Sequence, residues 1–351
     1  PYVFIMTLGL LVALASALAA AYFIIWAAYH FRFYAIDGGL RPLHMEWVMP
    51  AENSLLHSLA NFVYERHLFP EAWIYGQLYV LKFLNRTAYL LGEISPDGFW
   101  SYFPVAFMVK TPLPTLMLLG VSLWMVVRGR MSRTSGLFLF IPAAVYFLSA
   151  VWARKNLGLR YLLPIYPFLF VALGGAAAEL WRSGSRVKRG GVIMLLVWYV
   201  GSCAWTYPHY LAFFNEIVGG PKNGYKVLLD SNLDWGQDLK GLKIWMDANR
   251  VKKIKFLYFG TVDPEFYGID ASYVTRSWIG YDPPATRTVD APQYAAMSAH
   301  LLYQILAKEK FLEPFRSAEP ITTIGHSILI FRVDRRGRPV LPNSLVTGVA
   351  P

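Results

Sequence analysis

"SGLFLFIPAAVYFLSAVWA" (135–153) carries no charged residue from end to end. A run of that length and apolarity crosses a bilayer as a helix, because about 20 residues rising 1.5 Å each cover the ~30 Å hydrocarbon layer. Four more runs of the same character lie at 2–29, 112–127, 162–180 and 191–207. The first is long enough to tilt or project beyond the hydrocarbon. The second and fifth are near the lower limit. They are extended by the aromatic approach "FWSYFPVAFMVK" (99–110) and by Trp205 and Tyr207, residues suited to a membrane interface. The expected fold class is therefore a polytopic α-helical membrane protein with about five transmembrane helices.

Composition agrees. Only 16% of the 351 residues are charged, against about a quarter in a soluble domain. The net charge of +11 does not point to nucleic acid, since the basic residues cluster in short loops between apolar runs rather than along one stripe. Cys203 is the sole cysteine and sits inside an apolar run, which excludes an intrachain disulfide and a thiolate metal cage. The chain enters apolar sequence directly at Pro1, without the charged n-region of a signal peptide, and reads as a fragment whose upstream part is missing.

The loops "RGRMSR" (128–133) and "WRSGSRVKRG" (181–190) fall on one side of five alternating spans. The positive-inside rule makes that side cytoplasmic. The opposite loop "RKNLGLRY" (154–161) is also basic, with Arg154, Lys155 and Arg160, and so breaks the rule. A violation of this kind points to function. The expected organisation is a transmembrane region over 1–207 with an outer loop at 30–111, and an extracytoplasmic α/β domain over 208–351. Amphipathic helices are expected around 51–66 and 71–91. In the tail, strands are expected at 226–230, 253–260 and 321–333, and helices at 235–249 and 293–310.

The most polar stretch of that tail is "LLDSNLDWGQDLKGLKIWM" (228–246). Asp230, Asn232, Asp234 and Asp238 take positions one, three, five and nine of a calcium loop, but Trp235 and Gly241 stand where glycine and a bidentate glutamate are required. That spacing argues against an EF-hand. Asp234 as N-cap with Gln237 three residues on would make a capping box, and Trp235, Leu239, Leu242 and Met246 would share one apolar face. Capping leaves Asp230, Ser231 and Asn232 unexplained. A strand-to-helix turn is a common place for hydroxyl-rich ligands to meet polar side chains, so Asp230, Ser231 and Asn232 are candidates for facing a ligand.

In "KNLGLRYLLPIYP" (155–167), Arg160 and Tyr161 either anchor a helix end or, with Arg154 and Lys155, bind an anion such as a phosphate. Asn156 and Gly158 allow a close backbone turn. "YFPVAFMVKTPLP" (102–114) puts Lys110 at the interface end of the second span, where a lysine snorkels or adds a second cation. His44, Glu46, His57 and His67 lack the spacing of a zinc site and read as packed or surface residues. "NRT" (85–87) fits a glycosylation acceptor in a eukaryotic source. No Walker loop, GxSxG or dinucleotide fingerprint occurs, which removes support for a soluble nucleotide-using enzyme.

Three blocks, "SPDGFWSYFPVAFMVKTPLP" (95–114), "NLGLRYLLPIYPFLFVALGG" (156–175) and "YLAFFNEIVGGPKNGYKVLLDSNLDWGQDLKGL" (210–242), resemble the C-terminal part of bacterial polyprenyl-phosphate-dependent glycosyltransferases. These form the glycosyltransferase family 39 group of GT-C fold, similar to the protein O-mannosyltransferases and the lipid A aminoarabinose transferase. The resemblance implies an enzyme of the bacterial inner membrane. It would move a sugar, with inversion, from a polyprenyl-phosphate carrier to a protein, lipid or glycan acceptor on the outer face. It also implies that Arg160 and Tyr161, with Lys110, contact the carrier phosphate, and that the turn "DSNLDWGQD" (230–238), with Asp230, Asn232, Asp234 and Trp235, closes over the sugar or acceptor. The family's catalytic carboxylate lies in the first outer loop, upstream of residue 1, so the chain alone would be inactive. Transfer from a phosphate leaving group needs a carboxylate to deprotonate the acceptor and cations to hold the departing charge. No cofactor is indicated with certainty; a divalent metal stays open, with no motif that supports it. The competing reading is a non-enzymatic, membrane-anchored protein whose outer domain binds a glycan or partner. A transporter is disfavoured by the lack of charges in mid-span.

Overall fold

The computed structural model describes residues 2–35, 43–82, 87–153, 155–274, 293–334 and 337–340. It divides into two compact units, Pro1–Asn85 and Arg86–Pro351.

The first unit contains α1 (Tyr2–Ala28), apolar throughout, followed by α2 (Leu55–Glu65) and α3 (Glu71–Lys82). Ser54 caps α2 by accepting from the His57 N–H at 3.1 Å. Met45, Val48, Ala60, Ile74 and Leu78 make its small core. Glu71 is buried there, and its carboxylate accepts from the Tyr64 hydroxyl and the Ala35 N–H. His67 stacks on Phe33 at 3.7 Å, while His44 sits exposed beside Glu46.

The second unit opens with a hairpin, β1 (Ala88–Leu90) and β2 (Glu93–Ser95), turned at Leu91 and Gly92 with positive φ. Helices α4 (Tyr102–Lys110), α5 (Leu113–Val127), α6 (Arg133–Ala153), α7 (Tyr166–Arg182) and α8 (Arg186–Trp205) follow. Across the described residues four helices are long and apolar enough to cross a membrane, or five if the bent pair α4 and α5 is one span. The axes of that pair differ by 111°. Pro112 forces Thr111 into extended backbone (ψ 132°) and has no N–H to continue the helix. Alone, the 15 residues of α5 rise about 22 Å, short of a ~30 Å hydrocarbon layer. Small residues let the helices approach: a Cβ on Gly136 would lie 2.6 Å from the Val126 methyls, and Ala172 and Ala176 of α7 are fully buried.

Beyond α8 the chain forms 3-10 turns, then α9 (Leu239–Ala248), β3 (Lys253–Leu257), β4 (Asp270–Tyr273), β5 (Tyr294–Ser298), β6 (Thr322–Ile324) and β7 (Ile328–Arg332). The five strands lie in the order β4-β3-β5-β7-β6, with β4, β3 and β5 parallel and β7 antiparallel to both its neighbours. The strand period of two sorts the two faces. Ile328 and Ile330 pack with Leu239, Leu242 and Met246 of α9. Leu329, Phe331 and Met297 join a core that continues through Leu228 and Leu233 to Leu162, Tyr102 and Phe103 at the helix ends. The sheet is thus a middle layer between α9 and the ends of the apolar helices.

Three expectations for the tail need correction. Residues 226–230 are not a strand: Val227, Leu228 and Leu229 are consecutively buried, which mimics a buried strand in sequence, but they sit between 3-10 turns at Pro221–Lys226 and Asp230–Asn232. Helix α9 starts at Leu239 rather than 235, because Gly236 turns in the left-handed region (φ 75°). Trp235 consequently leaves the apolar face and stands 55% exposed. Residues 293–310 are strand β5 and one π-helical turn (Leu301–Ile305), not a helix. The helix-forming "YAAMSAH" is overruled by its place between β3 and β7. The whole β-propensity scale spans ~1 kcal/mol, less than the ~1.5–3 kcal/mol from burying a side chain such as Met297. Strand 253–260 is present as β3, and 321–333 folds as the β6–β7 hairpin.

Candidate functional site

The polar stretch 230–238 lies where the helix ends meet the sheet, and most of it is buried. Asp230 takes a left-handed conformation (φ 57°), which aspartate tolerates because its short side chain bonds locally. Its carboxylate accepts from the Ser231 N–H at 2.6 Å, and its own N–H donates to His300 Nδ1 at 3.2 Å. The Ser231 hydroxyl donates to the Leu157 carbonyl. Asn232 uses both ends of its amide: Nδ2 donates to the Tyr102 hydroxyl (2.8 Å) and the Leu229 carbonyl (3.0 Å), while Oδ1 accepts from the Leu159 N–H (3.0 Å). Gly158 permits this contact. Its φ is 114°, and a Cβ there would sit 2.2 Å from Ser231 Oγ.

The two later aspartates turn the other way, toward the sheet. Asp234 accepts from the Ser298 hydroxyl at 2.6 Å and the Gly236 N–H at 2.9 Å. Asp238 accepts from the Ser327 hydroxyl at 2.6 Å and from Gln237 Nε2 at 3.1 Å, with His209 Nδ1 3.6 Å away. Ser298 ends β5 and Ser327 sits in the β6–β7 turn, so the two carboxylates tie down neighbouring points of the sheet. Burial pushes the Asp234 carboxyl up to about 7, against the bonds from Ser298 and Gly236 that favour its ionised form. Burial also raises Asp238, opposed by Ser327 and His209. His300 and His326 are lowered, in both cases chiefly by burial.

Two cations rest on this stretch. Lys110 Nζ donates to the carbonyls of Leu211 (2.8 Å) and Asn232 (2.6 Å) and lies 4.4 Å from the Phe214 ring centre. The α4 end carrying it is held by Asn215, whose Nδ2 donates to the Met108 and Thr111 carbonyls. Arg160 is exposed, with its guanidinium 5.4 Å from the Tyr161 ring centre and 5.1 Å from that of Trp235. Neither cation pairs with a carboxylate among the described residues.

The structure thus brings Lys110, Arg160, Tyr161, Asp230, Asn232, Asp234 and Trp235 into one neighbourhood. Lys155 is half-buried in the loop before Arg160; Arg154, and Asn85 and Arg86 of the NRT triplet, lie outside the described residues. Among the acidic and amide residues of the stretch, Asp230, Asn232 and Asp234 spend their side chains on protein partners, while Trp235 faces solvent beside Arg160. Asp238, Asn215, His209 and His300 were not candidates on sequence grounds. Asp238 shares the motif with the others, but His209 and His300 have no local signal and are brought in by the fold. No group of three or more His, Cys, Asp or Glu side chains is arranged to hold a metal ion among the described residues. Comparison of the chain with protein families, with curated proteins and with solved structures finds no match.

Proposed function

We propose that this chain is the carrier-handling part of a membrane glycosyltransferase that moves a sugar from a polyprenyl-phosphate carrier to an acceptor on the extracytoplasmic side. One observation carries the reading: two cations from separate elements, Lys110 and Arg160, converge on the same stretch, 230–235, at one end of the apolar helices, with no carboxylate paired to either among the described residues. Lys110 is half-buried, and charge taken out of water is normally paired, so with the exposed Arg160 beside it the site suits an anion arriving from outside the protein. A carrier whose tail lies in lipid presents its phosphate at this level.

In this reading Arg160 is the direct phosphate contact. Tyr161 and Trp235 hold its plane, leaving its N–H edge for bidentate bonding to phosphate oxygens. Lys110 adds charge and, through the Asn232 carbonyl, fixes the stretch against which the sugar rests. Lys155 adds to the local positive potential. Asp230, Asn232 and Asp234 position the site, and Trp235 is the residue offered to the sugar or acceptor. The cations stabilise the phosphate as it leaves. The carboxylate that deprotonates the acceptor is expected in the family's first outer loop and is assigned to none of these residues.

The test is binding of undecaprenyl phosphate by the full-length protein in nanodiscs. Arg160→Ala should weaken it by tenfold or more, roughly the loss of one charge-assisted pair, and Arg160→Lys should restore part. Unchanged binding in Arg160→Ala would remove the proposal.

A further inference from the structure

A second cleft, of about 550 Å³, lies between the C-terminal half of α8, the turns at 213–222 and the tip of the β6–β7 hairpin. That volume is within the roughly 300–1,000 Å³ of small-molecule sites. It does not include Arg160 or Trp235. Trp198, Ser202 and Trp205 line it from α8, Glu216 and Lys222 from the turns, and His326 from the hairpin.

The polar groups around this volume are organised. Glu216 Oε1 accepts from the Trp198 indole N–H at 2.9 Å and the Ser202 hydroxyl at 3.5 Å, which fixes the carboxylate and leaves Oε2 available. Lys222 is exposed and has no ion-pair partner among the described residues. His326 stands in the left-handed region at φ 69°, and its buried Nδ1 makes no hydrogen bond among the described residues. Gly325 and His326 both have positive φ in the tight turn closed by the Ser327 N–H on the Ile324 carbonyl, as a two-strand hairpin requires. Asp238 braces that turn. The carboxylate accepts from Ser327 and packs under Gly325, where a Cβ would fall 1.9 Å from Asp238 Cγ. The last aspartate of the polar stretch therefore pins the hairpin tip that delivers His326 to the cleft.

The chemistry of the lining selects a ligand class. Glu216 and Lys222 cancel, so an anion meets the carboxylate and a cation meets the ammonium, and neither gains overall. Burial and the neighbouring His209 favour a neutral imidazole at 326, and with Nδ1 buried its Nε2 is the ring nitrogen left for a ligand. Trp205 is 88% exposed and adds an apolar ring face. An interfacial tryptophan needs no ligand to explain it, but here it borders a volume with matched donors and acceptors. We propose that this cleft is a saccharide-binding site taking one or two neutral sugar rings, their C–H faces against indole and their hydroxyls bonded to Glu216, Lys222 and His326. The proposal is independent of the carrier-phosphate reading, and it accommodates a sugar that is free or one carried on a lipid headgroup.

The experiment uses the full chain in nanodiscs and two probe sets. Saturation-transfer NMR is run with neutral glucose and mannose disaccharides. Partition is measured into nanodiscs containing glucosyl-diacylglycerol, with phosphatidylcholine alone as reference. Binding of a disaccharide assigns the site to a free glycan; binding of the glycolipid alone assigns it to a lipid-borne sugar. In either case Trp205→Ala and Glu216→Gln should each weaken binding by roughly tenfold and leave undecaprenyl phosphate binding unchanged. Glucose 6-phosphate should bind more weakly than the neutral sugars. The proposal is overturned if no sugar binds in either arm, or if binding is the same in both variants as in the wild type. Trp205→Phe, which keeps a ring, serves as the folding-neutral companion and should lose less affinity than Trp205→Ala.

Discussion

Asp234→Asn separates charge from shape at the point where the polar stretch meets β5. The carboxyl is held at about 7 in the fold against an ordinary 3.8. The unfolded chain therefore releases its proton near 3.8, while the folded chain keeps it until about 7. Asp234's contribution to stability is complete below the lower value, falls as pH rises between the two, and stays at its minimum above about 7. The separation, about 7 less 3.8, is worth ~4 kcal/mol at 1.36 kcal/mol per pH unit. Asparagine keeps Oδ1 as acceptor for the Gly236 N–H, and its amide can donate to Ser298 Oγ, which then turns from donor to acceptor. At pH 4 the variant should lie within ~1 kcal/mol of the wild type. At pH 8.5 it should be the more stable by about 2–4 kcal/mol, because it has no charge to bury. Denaturation of the full chain in micelles, followed through labelling of Cys203 and hydrogen exchange of β5 and β7, reads both numbers. A variant less stable than the wild type by the same amount at both pH values would refute the reasoning, since it would mean that Asp234 is ionised in the fold throughout.

Two further outcomes follow from the same contacts. Gly325→Ala places a Cβ on the Asp238 carboxylate in a left-handed conformation, and should destabilise by about 3 kcal/mol from backbone strain plus a lost charge-assisted bond, seen as a lowered denaturation midpoint. Asn215→Ala leaves the Met108 and Thr111 carbonyls without their donor and should cost about 2–3 kcal/mol, with faster hydrogen exchange at the α4–α5 bend; unchanged exchange there would show that the bend is set by Pro112 alone.

The apolar helices were legible because their signal is long: each run reports on its own, and the observed helices follow the runs at 2–29, 112–127, 135–153, 162–180 and 191–207 closely. The tail was less legible because its signals are short and its context is not local. "VLL" at 227–229 reads as a strand, yet its burial comes from the helix ends packed around it. "YAAMS" at 294–298 reads as helix, yet strands on both sides claim its backbone. In the polar stretch, a capping box at Asp234 and Gln237 was a sound local reading, but the Asp234 carboxylate accepts from Ser298, 64 residues away, and Gly236 turns left-handed, so the helix starts at 239. Residue types at 230–238 announced that the stretch matters. Which side chains are buried, and that Trp235 is the one left outside, depends on partners that only the fold supplies.

The sharing of one core between helix ends and sheet bears on how the protein can be dissected. A cut at 207/208, natural from hydropathy, would strip Leu329, Phe331 and Met297 of their cover and leave the Tyr102 hydroxyl and the Leu157 carbonyl without Asn232 and Ser231. A soluble piece made that way would expose an apolar sheet face and aggregate. The shortest piece for crystallisation begins before β1, carries α4 to α8 with it and is handled in detergent or lipid.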